Sequence, residues 1–224
     1  MIKTILFDLD GVVVDSEPLY QQAEEQLFAE YGINIPESDW QHFRGLSETS
    51  FYQLARKRYG IDAPLETLRT KGRRLVRKAF AEGLRFRSGF TDLQRQLRPD
   101  YRLGLVTSTP LELFDFMDAR LRLRPLFDGL LTGGTTAHSK PHPEPYLVML
   151  KQLATEPRQA LVIEDSVHGL TSAWASGAWT IAITGSVPEE VMPRRHATIA
   201  HLSEITPGLI AGITGQPIAT AQAP

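Results

Sequence analysis

The chain has 224 residues, of which 42% are hydrophobic and 22% charged, with a formal net charge of −2 and no cysteine. That length holds one core of moderate size plus a smaller module, and the composition is that of a soluble globular protein. The near-neutral charge argues against a nucleic-acid binder working by counterion release. The absence of cysteine excludes disulfides, thiolate zinc and a cysteine nucleophile, and no run reaches the roughly 18 to 20 apolar residues of a membrane span.

In chain order, residues 2–7 form an apolar run that reads as a buried strand, not a signal peptide. Asp8-Leu9-Asp10-Gly11 follows directly. Two carboxylates two residues apart leave a strand on the same side, and such like charges usually need a cation between them. The donors are oxygens, so a hard ion such as Mg²⁺ fits. A plain Asp-Gly turn also explains Asp10-Gly11, so this pair alone leaves both readings open. Next, Ser16 is a candidate N-cap with Pro18 in the first turn. Leu19, Ala23, Leu27, Phe28 and Tyr31 recur at helical spacing until Gly32 ends the run. A second helix is predicted from Ser47 to Gly60 and a third from Pro64 to Gly83, which makes residues 17–83 all-helical.

From Gly89 the pattern changes. Residues 103–107, 129–132, 160–164 and 180–183 read as strands, separated by helical segments at 91–98, 110–122, 143–154 and 167–176. Apolar strands alternating with helices predict a parallel sheet covered on both faces, an α/β fold. The first strand belongs with that sheet, so the helical block is an insertion, entered near residues 15–17 and left near 83–88. The predicted division is a core of residues 1–16 and 84–212, a helical module of 17–83, and a flexible tail of 213–224.

Ligands of open parallel sheets bind at the carboxyl ends of the strands. The residues there are Asp8 and Asp10, then Thr107-Ser108-Thr109, then Glu164-Asp165, with Ser139-Lys140-Pro141 between the last two. Each has a plainer reading. The hydroxyl cluster can begin a polar loop, Lys140 can be a solvated loop lysine, and Glu164-Asp165-Ser166 can supply an N-cap. Their recurrence at successive strand ends favours one site, suited to phosphoryl transfer from a small phosphate ester. An Asp would be the nucleophile, Mg²⁺ the charge neutraliser, and Lys and Thr the holders of phosphate oxygens.

The stretches Asp8-Leu9-Asp10-Gly11-Val12-Val13-Val14-Asp15-Ser16, Val106-Thr107-Ser108-Thr109, Ser139-Lys140-Pro141 and Ile163-Glu164-Asp165-Ser166 resemble the haloacid dehalogenase-like (HAD) superfamily. The branch is the one whose small helical cap is inserted after the first strand. The resemblance covers about the first 205 residues and implies a Rossmann-like parallel sheet core with an inserted all-helical cap domain. By the same resemblance, Asp8 attacks phosphorus, Asp10 protonates the leaving alcohol and then activates water, and Thr107, Ser108 and Lys140 bind the transferring group. Mg²⁺ is held by Asp8, the Asp10 backbone carbonyl and Asp165, with Glu164 in support. Specificity is assigned to the cap loop of His42, Arg44, Gly45 and Leu46.

Asp10 disfavours dehalogenase and phosphonate-cleaving members, which do not use a carboxylate there. The chain also resembles β-phosphoglucomutase, which holds a second phosphate with a cap arginine. Here Glu48 falls at that arginine, and Pro110-Leu111 replace further phosphate ligands. A phosphatase acting on a sugar or polyol phosphate is therefore expected, with phosphoglycolate second, a mutase as alternative, and a catalytically silent binding protein less favoured. Thr132-Gly133-Gly134 lacks the acidic residue often found in that loop. The basic run of Arg69, Lys71, Arg73, Arg74, Arg77 and Lys78 reads as a solvated face. The expected partner is a small phosphorylated metabolite, with neither nucleic acid nor membrane, and the expected form is a cytoplasmic monomer.

Overall fold

A computed structural model describes residues 1–43 and 45–215, except for the side chains of Gln41 and Thr214. The expectations placed on Arg44 and on residues 216–224 fall outside the described residues. Six parallel strands form one sheet: β1 (Thr4–Phe7), β2 (Arg102–Pro110), β3 (Gly129–Gly133), β4 (Ala160–Glu164), β5 (Trp179–Ile183) and β6 (Ala197–Ile199), in the order β3-β2-β1-β4-β5-β6. All four residues of β1 and all five of β4 and β5 are buried, as strands covered on both faces must be.

Alternate residues of β1 serve opposite faces. Ile5 and Phe7 join a cluster with α4 (Phe90–Leu97), α5 (Leu111–Leu121) and α8 (Pro207–Thr214). Leu6 packs on the other face with Tyr146, Met149 and Leu150 of α6 (Glu144–Gln152) and Ala173 of α7 (Val167–Ala175). Chain order reverses direction across the sheet between β1 and β4. Phe7 pairs there with Ile163 on one side and with Leu105 of β2 on the other. Asp8, Val106 and Glu164 are thus brought to one level at the carboxyl end, beside the point where the order switches.

Between β1 and β2 the chain forms α1 (Glu17–Ala29), α2 (Glu48–Tyr59) and α3 (Leu65–Gly83), with a 3-10 turn over Glu37–His42. α2 ends as its sequence predicts, on Gly60 in the left-handed conformation. The two connections to this helical insert run side by side. Val14 bridges Phe86 antiparallel, Asp15 N–H donates to Arg85 O, and Arg87 N–H donates to Val13 O.

Two expectations change. Ser16 occupies the N-cap position of α1 but has an αR backbone and makes no side-chain cap bond; its hydroxyl donates instead to Asp10 Oδ1 at 2.6 Å. The chain also stays folded past residue 212, where α8 continues and Ile213 is buried. Neither β6 nor α8 is among the predicted elements; for β6, three residues are too few to display a strand periodicity. No helix among the described residues is long and apolar enough to cross a membrane.

Candidate active site

The site is organised around Lys140, which is almost fully buried although lysine seldom is unless paired. Its Nζ donates to Asp8 Oδ1 at 2.6 Å, Glu164 Oε1 at 2.6 Å and the Val106 carbonyl at 3.0 Å, which uses all three ammonium protons. Burial alone would lower its pKa, but the Asp8 and Glu164 carboxylates outweigh that and hold it raised, so it stays charged.

Glu164 is committed on both oxygens. Oε1 also accepts from Tyr146 OH at 2.8 Å, and Oε2 accepts from the N–H groups of Asp165 and Ser166 and from Ser166 Oγ. Ser166 in turn caps α7 by accepting from Gly169 N–H at 3.0 Å. The N-cap reading of this stretch and the site reading therefore hold together.

Asp10 has a separate cradle. Besides Ser16, it accepts from Thr109 Oγ1 at 2.5 Å and Thr107 Oγ1 at 3.3 Å, both on Oδ2. Burial raises its pKa, and these three hydroxyls restrain the rise. Burial raises Asp8 well above the usual carboxylate range despite the pull of Lys140, and it raises Asp165 likewise, with Glu164 adding to both.

Asp165 is fixed from two sides. Ser186 Oγ donates to its Oδ2, and Gly11 lies so close that a Cβ there would fall 1.8 Å from the same oxygen. Gly11 also has φ +74°, so only glycine fits the position without strain. Carboxylate oxygens of Asp8, Glu164 and Asp165 lie within 4.8 Å of one another. Several buried carboxyl groups share one ammonium, and an all-oxygen donor set of this kind could bind a hard metal ion.

The predicted residues separate clearly. Asp8, Asp10, Ser108, Asp165, Gly45 and Leu46 line one cavity of about 120 Å³ between the sheet edge and the helical insert. Thr107 and Lys140 stand behind it, bound to Asp10 and Asp8. Gly45 accepts from Ser108 Oγ at 3.3 Å, and a Cβ on it would sit 2.3 Å from Ser166 Oγ, so glycine allows the insert's loop to close on the core. His42 is exposed and is not part of the cavity lining.

The basic run on α3 is not uniformly a solvated face. Arg69 and Arg73 turn inward onto Glu48, and Arg73 also reaches Glu112 of α5. Thr109 enters the sequence reading only as part of the hydroxyl cluster, and Tyr146 and Ser186 were not singled out from sequence as site residues. Ser186 could have been, since it follows β5 as the other site residues follow theirs.

Glu24 also lines the cavity. Burial lifts its carboxyl from 4.5 to about 8, opposed by the Tyr52 hydroxyl bond and aided by nearby Glu48. A folded-state value above the unfolded one gives stability that is full below about 4.5 and is lost as pH rises to about 8. Glu24→Gln removes that dependence. Its unfolding free energy, from denaturant titration, is expected to gain on wild type between pH 5 and pH 8.5, on the order of a few kcal/mol. A difference that does not change with pH would show that Glu24 titrates normally.

The sequence profile of the haloacid dehalogenase-like hydrolases matches residues 5–183. A phosphorylated carbohydrates phosphatase of Thermotoga maritima is 29% identical over 177 residues, covering 79% of this chain and 82% of the relative. Protein CbbY of Cereibacter sphaeroides is 31% identical over 202 residues, covering 83% and 85%. The crystal structure of CbbY from Rhodobacter sphaeroides in complex with phosphate superposes with a TM-score of 0.79 at 24% identity, over 91% of this chain and 96% of that one. With the family profile spanning most of its length, and a parallel sheet that gathers Asp8, Lys140, Glu164 and Asp165 at its switch point, the chain belongs to the haloacid dehalogenase-like hydrolase family.

Proposed function

We propose that this enzyme is a Mg²⁺-dependent phosphatase hydrolysing a small sugar or polyol phosphate monoester through an aspartyl phosphate on Asp8. The observation that carries the reading is the division of labour between the two aspartates. Asp8 is held by an ammonium at the cavity floor, while Asp10 sits away from it among three hydroxyls. A carboxylate steadied by lysine is an oriented nucleophile, and a carboxyl held by hydroxyls, with no cation bonded to it among the described residues, is suited to proton transfer.

In the first step an Asp8 oxygen bonds to phosphorus and the bond to the alcohol oxygen breaks, as Asp10 delivers its proton to that oxygen. In the second, Asp10 takes a proton from water as the water oxygen bonds to phosphorus, releasing inorganic phosphate and restoring Asp8. Ser108 on the cavity wall and Thr107 behind it would steady phosphoryl oxygens, and Lys140 would supply fixed positive charge. Asp8 and Asp165, with the Asp10 carbonyl, would hold Mg²⁺, which offsets the repulsion between a carboxylate and a phosphate. Glu164 acts indirectly, since both its oxygens are occupied in orienting Lys140 and the loop into α7. Residues 17–83 would serve as the cap that carries specificity over the core of 1–16 and 84–212.

Phosphatases acting on phosphorylated carbohydrates among the relatives support the substrate class. A phosphomutase is less well supported, because Arg69 and Arg73 are occupied by Glu48. Excess chelator is expected to abolish phosphate release from 4-nitrophenyl phosphate and added Mg²⁺ to restore it. Full activity in chelator would remove the metal from the mechanism.

A further inference from the structure

The cavity above Asp8 and Asp10 extends into the helical insert, where its wall is built from α1, α2, α3 and the 3-10 turn. Two of the residues lining it each carry a buried polar atom with no hydrogen-bond partner among the described residues: Oε2 of Glu24 and Nε1 of Trp40. Both residues are more than nine-tenths buried, at 7% and 4% exposure. An unpaired buried polar atom costs free energy, so two on residues of one cavity lining point to a ligand that completes them.

The wall is also rigid. Tyr52 OH donates to Glu24 Oε1 at 2.8 Å and fixes that carboxyl. Gly72 of α3 makes room for the phenol, because a Cβ there would stand 1.7 Å from its oxygen. Phe43, Phe51, Leu46 and Val76 supply apolar surface around the polar groups.

The chemistry of the two atoms restricts what they can receive. An indole N–H only donates, so it rejects an ammonium. A second phosphate or a carboxylate would find no unengaged cation, since Arg73, the cation on this wall among the described residues, is already bound to Glu48 and Glu112. A hydroxyl both donates and accepts and satisfies both atoms. The carboxyl can meet it in either role, since burial keeps Glu24 protonated near neutral pH.

We infer that Glu24 and Trp40 form a specificity subsite that reads uncharged hydroxyl groups at the end of the substrate remote from the phosphate. The inference rests on the phosphatase reading for the orientation of the ligand, phosphate toward Asp8. It favours monophosphates with a polyhydroxy end over bisphosphates and over short acids such as phosphoglycolate.

Equilibrium binding separates this subsite from the chemistry. Titration calorimetry in chelator, without turnover, would compare inorganic phosphate, fructose 1,6-bisphosphate, and a series of four- to six-carbon sugar and polyol monophosphates including sorbitol 6-phosphate. For wild type, at least one monophosphate of the series is expected to bind more tightly than both phosphate and the bisphosphate. Glu24→Met, which keeps the bulk and removes the carboxyl, is expected to shrink that advantage over inorganic phosphate about 30-fold, and Trp40→Phe about 10-fold. Glu24→Gln, which keeps hydrogen-bonding atoms, should retain most of it.

An advantage that persists in both Glu24→Met and Trp40→Phe overturns the subsite, whether or not absolute affinities fall together. So does a wild-type protein that prefers phosphate or the bisphosphate. Hydrolysis of 4-nitrophenyl phosphate, measured separately with Mg²⁺, reports on the phosphatase reading alone, so either conclusion can fail without the other.

Discussion

Asp8→Asn is expected to lower phosphate release by about 10³-fold or more, because the amide keeps the side chain's shape and removes the negative charge that attacks phosphorus. Fold and stability should survive the change. Asp8 is a buried carboxyl whose pKa burial already raises, so a neutral isostere relieves desolvation even as it weakens the bond to Lys140. Single-turnover kinetics with 4-nitrophenyl phosphate, alongside a thermal unfolding curve, would check both halves. A folded Asp8→Asn protein with near wild-type turnover would place the nucleophile elsewhere.

Lys140→Met is expected to be damaging in a different way. The ammonium joins Asp8, Glu164 and the Val106 carbonyl, and its removal leaves two buried carboxylates facing each other without a cation. Breaking a buried pair in this manner costs about 3–5 kcal/mol. Asp8, already raised by burial, would lose the ammonium that opposes the rise, so the variant should be least impaired at low pH, where Asp8 is protonated in both states. It should lose stability as pH rises through the carboxylate range. Denaturant unfolding at pH 4 and pH 8 would measure this. An equal loss at both values would mean that packing, not charge, is what Lys140 contributes.

Much of this site could be read from the sequence, and the reason is geometric. In a parallel sheet covered on both faces, the apolar runs identify the strands, and each strand's carboxyl end opens on the same edge. Asp8, Thr107 and Glu164-Asp165 therefore declare themselves by following such runs, and the register of β1 with β2 and β4 brings them level.

What was hidden depends on side-chain direction and on packing between separate elements. Ser16 has the sequence context of an N-cap, yet its αR backbone turns the hydroxyl to Asp10. Arg69 and Arg73 look like part of a solvated stripe until α2 places Glu48 beside them. Glu24 sits among the polar residues of an ordinary amphipathic helix, and nothing local indicates that Tyr52 and Gly72 enclose it. Such contacts arise only when α1, α2 and α3 meet, and no single window of sequence contains them.

The covalent intermediate on Asp8 is the centre of the account, and Asp10→Asn provides the means to trap it. With 4-nitrophenyl phosphate the leaving group needs little protonation, so the first step should proceed in this variant while hydrolysis of the intermediate, which needs a base, slows by about 100-fold or more. A burst of nitrophenolate followed by slow turnover is expected. Borohydride added during the slow phase reduces an acyl phosphate to an alcohol, and peptide mass spectrometry should then find homoserine at position 8 in Mg²⁺-containing samples given substrate. An unmodified Asp8 in a sample that has released a full equivalent of nitrophenolate in the burst, or a reduced carboxyl at any other position, would contradict the aspartyl-phosphate mechanism.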